Sequence, residues 1–164
     1  MTSREHFLMA IKAEGPTFGK VLAALPANKL DYTPHPKSRT AHSLAAQLGF
    51  TPSIMVDVIN SGKINFNPPA GYPPLDQIQA AGKAGHETLV ASLESLDDKT
   101  WDSKKAQMVA PDGKVIWEDT VGNMLWGFLF DAVHHRGQLS AYIRPMGGKV
   151  PSIYGPSADD PGNM

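Results

Sequence analysis

Apolar residues recur every three or four positions in four stretches of this chain, and prolines and glycines gather between them. That pattern predicts four long helices joined by irregular connections. The first stretch runs from about residue 3 to 25, with Phe7, Leu8, Ile11, Phe18, Val21, Leu22 and Leu25 as its apolar positions. Ser3 is placed to cap it, and Gly15-Pro16 predicts a kink or short break, because proline removes a backbone donor and crowds the preceding turn. Residues 26–39 contain Pro34, His35 and Pro36 and read as an extended connector. The second helix should open at Ser38 or Thr40 and reach about Asn60, through Leu44, Leu48, Ile54, Met55, Val58 and Ile59. Pro52 within it implies another kink, or a re-start capped by Thr51.

Residues 61–74 hold Gly62, Pro68, Pro69, Gly71, Pro73 and Pro74 and are expected to form a loop. Ile78, Ala81, Gly85, Leu89, Leu93 and Leu96 then trace a third helix over about 75–96. Residues 106–117 differ, with apolar positions flanking the turn-rich Pro111-Asp112-Gly113-Lys114, which predicts a short β-hairpin. The last helix should begin at Asp119 or Thr120 and end before Pro145, with Val121, Met124, Leu125, Phe128, Ala132, His135, Leu139 and Tyr142 along one face. Residues 146–164 are rich in glycine and proline and read as an irregular tail. The whole is expected to be one all-α domain over 1–164, a four-helix bundle with a short β-hairpin before the last helix.

Composition narrows the function classes. The chain is 41% hydrophobic and 19% charged with a formal net charge of −1, so it has the apolar content of a folded core and no basic excess to recruit nucleic acid. It has no cysteine, which excludes disulfides, thiolate ligands and a cysteine nucleophile. No stretch reaches the roughly 18 apolar residues of a spanning helix, and the first residues lack the apolar core of a secretion signal. A cytoplasmic protein without membrane contact is expected. There is no G-x-S-x-G elbow, G-x-G-x-x-G turn or P-loop, so a serine nucleophile and a nucleotide cradle lack support.

The chemistry concentrates in DAVHHRGQL, residues 131–139. Asp131 and His135 are one turn apart and project together from the helix, between Phe128 and Leu139. Facing a bundle interior, a carboxylate and an imidazole need each other, a third polar group, a water or a metal ion. They are either two ligands of a divalent ion (zinc, nickel, iron or manganese) or a hydrogen-bonded pair without metal. His134, about 100° around the helix, faces a neighbouring helix, a partner subunit or solvent. Arg136 and Gln138 either orient the pair by hydrogen bonds or serve as an interhelix or intersubunit salt bridge and a surface amide. Gly137 in mid-helix suggests close helix packing. The second helix offers His42 and Gln47 as a third polar group, His42 near the bundle rim and Gln47 deeper. His6, His35 and His86 read as surface residues, and Trp101, Trp117 and Trp126 as core or interface anchors.

HHRGQLSAYIRPMGGKVPSIYGPSAD, with PHPKSRTAHSLAAQL near the second helix, resembles the DinB-like superfamily, which includes the YfiT-like metalloenzymes. The resemblance covers nearly the whole chain and implies a four-helix bundle, often a homodimer. It also implies a divalent metal held by three histidines, one on the second helix and an H-x-x-x-H pair on the fourth. Family members include transferases and isomerases that use a low-molecular-weight thiol. Mapped onto this chain, the three ligand positions fall on Gln47, Asp131 and His135, so two histidines are replaced. Such a set has more oxygen donors, is expected to bind metal more weakly and shifts preference away from soft ions. Two functions are therefore in view: a metal-dependent enzyme on a small-molecule substrate, of thiol S-transferase or hydrolase type, or a metal-free binding or stress-associated bundle.

Overall fold

The computed structural model describes residues 1–162. Its elements, in order, are α1 (Ser3–Ala23), a 3₁₀ turn (Ala27–Lys29), α2 (Ala41–Ser61), β1 (Lys63–Asn65), α3 (Leu75–Ser95), α4 (Asp98–Ser103), β2 (Lys105–Val109), β3 (Val115–Thr120) and α5 (Val121–Ile143). The four long helices expected from the apolar period are α1, α2, α3 and α5, and they form a four-helix bundle.

Local chemistry sets most of the boundaries. Thr2, rather than Ser3, caps α1: its hydroxyl accepts from the Glu5 amide while Glu5 reaches back to the Thr2 amide. Thr40 caps α2 and Thr120 caps α5, each accepting from the amide three residues on. Gly62 ends α2 at φ 66°, a conformation in which a Cβ is strained. Neither internal proline breaks its helix, so of the alternatives expected, a kink or a short break at Gly15-Pro16 and a kink or a re-start at Pro52, the break and the re-start do not occur. Buried residues flank both prolines, Phe7 and Ile11 with Val21 and Leu22 in α1, and Leu48 with Met55 in α2. Packing on either side outweighs the roughly 3 kcal/mol a helical proline costs.

Two elements carry too little periodicity to be read from sequence. The predicted loop after α2 contains β1, three residues that pair parallel to β2 and extend the hairpin into a sheet of order β1-β2-β3. The short α4 is capped by Asp97, whose carboxylate accepts from the Thr100 amide, and it places Trp101 in the core. The β2–β3 hairpin itself forms as expected, antiparallel around Pro111–Lys114.

The core is built in two parts. One joins α1, α2, α3 and the start of α5 around Phe7, Met55, Leu89, Trp101 and Leu125; the other joins the opposite halves around Val21, Leu44, Ile78, Leu139 and Ile143. Beyond α5 no helix or strand forms through Gly162, yet the tail is pinned. Asp159 accepts from Arg144 and the Val150 amide, and Asp160 from the Ser152 amide. Among the described residues no helix is long and apolar enough to cross a membrane.

Candidate functional site

Asp131 and His135 stand one turn apart on α5, and Gln47 meets them from α2. Asp131 Oδ1 and His135 Nε2 are 3.2 Å apart, and the Gln47 amide nitrogen donates to Asp131 Oδ2 at 2.5 Å. His135 Nδ1 lies 2.8 Å from Gln138 Oε1. At the other end, Arg39 Nη1 donates to Gln47 Oε1. Five side chains thus form one polar series, Arg39–Gln47–Asp131–His135–Gln138, joined by hydrogen bonds except between Asp131 and His135, which meet as a carboxylate–imidazole contact.

The pair sits on the flank of α5 rather than in the bundle interior that the helical pattern suggested, with Asp131 open to solvent and His135 largely covered. Its side chains are 46% exposed for Asp131 and 14% for His135. The buried stripe of α5 runs through Leu125, Leu129, Ala132, Arg136, Leu139 and Ile143, which leaves Asp131, His135 and Phe128 on its flank. A charged residue in a core stripe is what the hydrophobic pattern misplaced. Arg136 is buried because Glu14 and Thr17 on α1 and Tyr154 in the tail accept its hydrogen bonds. It is an interhelix salt bridge, one of the two roles the sequence allowed.

The flank opens onto a groove of about 1070 Å³ between α2, α5, the sheet and the α2–α3 loop. Phe50, Phe66, Tyr72, Trp117 and Phe128 line it alongside Gln47, Arg39 and Asp131. Trp117 packs on Phe128 with ring centroids 5.5 Å apart, and it lies so close to Gly127 that a Cβ there would sit 2.5 Å from the indole. Of the three tryptophans, Trp101 is a core anchor and Trp117 a wall of this groove. The side chain of Trp126 packs on Phe7.

The remaining candidates fall into place around this cluster. His42 stays outside it: Nε2 lies 2.7 Å from the Pro73 carbonyl and the ring tilts against Tyr72, so it anchors the α2–α3 loop. His134 is exposed with its ring against His135. His6 and His35 are exposed as expected, but His86 is half-buried: its ring lies where a Cβ on Gly15 would come within 2.2 Å, and burial lowers its pKa. Gly137 does not mark close packing, since a Cβ there would meet nothing within 4 Å. Arg39 carries no periodic signal in the sequence, since it lies before the Thr40 cap and outside the helical period, and only the fold brings it to Gln47. Its Nε donates to Ser43 Oγ at 2.9 Å and its Nη2 to the Ser43 carbonyl at 3.1 Å.

A divalent transition ion requires several lone pairs aimed at one point. This cluster offers one imidazole and one carboxylate, while Gln47 turns its N–H toward the site and its carbonyl toward Arg39. Reversing that amide would set carbonyl against carboxylate and amino group against guanidinium. Among the described residues no three His, Cys, Asp or Glu side chains are grouped to hold a metal ion. The donor set does not fit the three-ligand centre that the resemblance implied.

Four long helices with a polar cluster between the second and the last define the class, a four-helix bundle with a side-chain site on the flank of its final helix. The family model for the DinB family matches residues 1–162, and the chain belongs to that family. Solved structures similar to it include a DinB-like protein from Bacillus cereus, with 19% identity over 92% of this chain and 97% of the other, at a TM-score of 0.72. A second is the DinB-like protein YjoA from Bacillus subtilis, at 18% identity, 87% and 92% coverage and a TM-score of 0.65. A third is YfiT from Bacillus subtilis, described as "a probable metal-dependent hydrolase with an unusual four-helix bundle topology", at 14% identity, 88% and 87% coverage and a TM-score of 0.61. At such identities the likeness shows the fold. A search of curated proteins finds no match.

Proposed function

We propose that the groove between α2, α5 and the sheet binds a small organic molecule with an apolar, largely aromatic body and a polar end. The polar end meets the Gln47–Asp131–His135 cluster. The observation that carries this reading is that Gln47 and Asp131, from two helices, meet on the wall of an aromatic-lined groove, with His135 in contact with Asp131. A concave, mostly apolar site with a few convergent polar groups is the usual form of a small-molecule site. Trp117 supplies the readout, because a molecule seated in the groove changes its fluorescence. In titrations with a panel of small aromatic amines and alcohols, Asp131→Asn should weaken binding about tenfold, near 1.4 kcal/mol. Its melting temperature should stay close to that of the unaltered protein. A panel in which no member binds, or one that binds the variant equally well, would remove this reading.

A second reading makes the protein a metal-dependent enzyme, a hydrolase or a thiol S-transferase with a low-molecular-weight thiol. It would have Asp131 and His135 as ligands and Gln47 as a third. The likeness to YfiT favours it, as does the placement of a carboxylate and an imidazole one turn apart on α5, the carboxylate lining the groove. Its requirement is that Gln47 turn away from Arg39.

The chain also carries a face suited to a second copy of itself. Phe130, 65% exposed, shares the outer side of α5 with His134, Gly137 and Ala141, and Gly137 packs on nothing within its own chain. A homodimer closed over this face would explain a glycine in mid-helix. Phe130→Asp should then convert the dimer to monomer in light scattering, and an unaltered mass would count against it.

A further inference from the structure

We infer that Arg39 takes the place of a metal cation at this cluster, supplying through the Gln47 amide the fixed positive charge that faces Asp131 and keeping divalent ions away. The inference stands apart from what the groove binds, since it concerns only how the cluster is held and charged.

The geometry is specific at each link. Arg39 directly precedes the cap of α2, and its side chain runs along the first two turns of that helix. Three of its donors are committed, Nε to Ser43 Oγ, Nη2 to the Ser43 carbonyl and Nη1 to Gln47 Oε1. Ser43 is itself fixed by the Tyr72 hydroxyl, which donates to the same Oγ at 2.9 Å. The guanidinium therefore stands in one orientation, one amide width from the Asp131 carboxylate. An amide has one acceptor end and one donor end, and here each meets its complement. An ion that takes Gln47 as its third ligand beside Asp131 and His135 must displace the Gln47 N–H from Asp131 Oδ2 and break both ends of this relay. It must also approach a guanidinium, which is charged at all working pH. Charge balance points the same way. Arg39 offsets Asp131, and the two further charged groups that line the groove, Asp57 and Lys63, offset each other. No excess of negative charge is left to draw a cation in.

The test is titration of tag-free protein with zinc or manganese ions alone, by calorimetry, across a small set of variants. The unaltered chain should bind either ion weakly, with a dissociation constant above roughly 0.1 mM, which is under about 5.5 kcal/mol of binding. Gln47→His should improve binding but keep the penalty from Arg39. Adding Arg39→Gln, which removes the charge and retains a hydrogen-bonding amide, should tighten binding at least about tenfold over Gln47→His. Arg39→Lys in the same background keeps the charge and should behave like Gln47→His. Arg39 is exposed, so none of these changes opens the core, and thermal melting verifies folding. One tightly bound equivalent of metal in the unaltered protein overturns the inference. So does a gain below about threefold on removing the Arg39 charge, or a lysine variant that binds as tightly as the glutamine one. A groove that fails to bind any aromatic amine or alcohol leaves these metal affinities unchanged and tests the other proposal only.

Discussion

Replacing Glu14 by alanine is expected to destabilise the protein by about 3–5 kcal/mol, because it strands a buried guanidinium. The Arg136 side chain is 3% exposed and that of Glu14 15%, so little water is available to take over the ion pair. Glu14 also accepts from the Tyr154 hydroxyl at 2.5 Å, and the Arg136 guanidinium lies 4.7 Å from the Tyr154 ring and 4.9 Å from the Phe18 ring. One carboxylate therefore holds together α1, α5 and the tail. A chain of this size loses about 2–4 °C of melting temperature per kcal/mol, so thermal or denaturant melting resolves the effect easily. The double variant Glu14→Leu/Arg136→Met should recover much of the loss, since it removes the stranded charge together with its partner. A drop below about 1 kcal/mol in the single variant would show that water reaches Arg136 and that the clasp is not a buried pair.

The same carboxylate sets a pH dependence with a defined sign. Burial alone would raise the Glu14 pKa, but hydrogen bonds from Tyr154 and Arg136, the Arg136 charge and the Thr17 hydroxyl together bring it below the ordinary value. A lowered folded-state pKa means that its contribution is complete above the unfolded value, about 4.3 for glutamate. That contribution falls away as pH drops through the lower folded-state value. Acid unfolding of Glu14→Gln should therefore be less steep in that window than that of the unaltered protein.

How much of this was legible in the sequence depends on the range of the interaction. The apolar period located α1, α2, α3 and α5 to within a few residues, and threonine caps and Gly62 mark several ends where local hydrogen bonds decide them. The pairing of Asp131 with His135 is a property of one helical turn, and it was read directly. Gln47 stood beside His42 as an open alternative on the second helix, and the family resemblance singled it out, because no local pattern ties position 47 to position 131. Arg136 shows the limit most clearly. A charged residue at a core position of α5 reads as an interruption of the apolar face until Glu14, 122 residues away, is known to meet it. His86 and Gly15 are a similar case, a ring and a gap matched across two helices. The strand β1 was missed because three residues between prolines and glycines carry no period, and only the edge of β2 makes them a strand.

Two phenylalanines around one tryptophan put the burial argument to a quantitative test. Phe7 and Phe130 both pack on Trp126, at centroid distances of 5.0 and 5.6 Å. Their surroundings differ: Phe7 is 0% exposed and also touches Trp101 at 5.1 Å, whereas Phe130 is 65% exposed. Phe7→Ala removes apolar surface that has no access to water and leaves a cavity bounded by α1, α4 and α5, so it should cost about 3–5 kcal/mol. Phe130→Ala keeps most of its exchange with solvent, and in the monomer it should cost under about 0.5 kcal/mol. Aromatic stacking adds only about 0.5–1.5 kcal/mol to either, too little to reverse their order. Urea melts of the two variants at low concentration, followed by far-ultraviolet circular dichroism, measure the difference. Equal costs would mean that α1 does not seal this end of the core, and that Trp101 and Trp126 are packed against something other than Phe7.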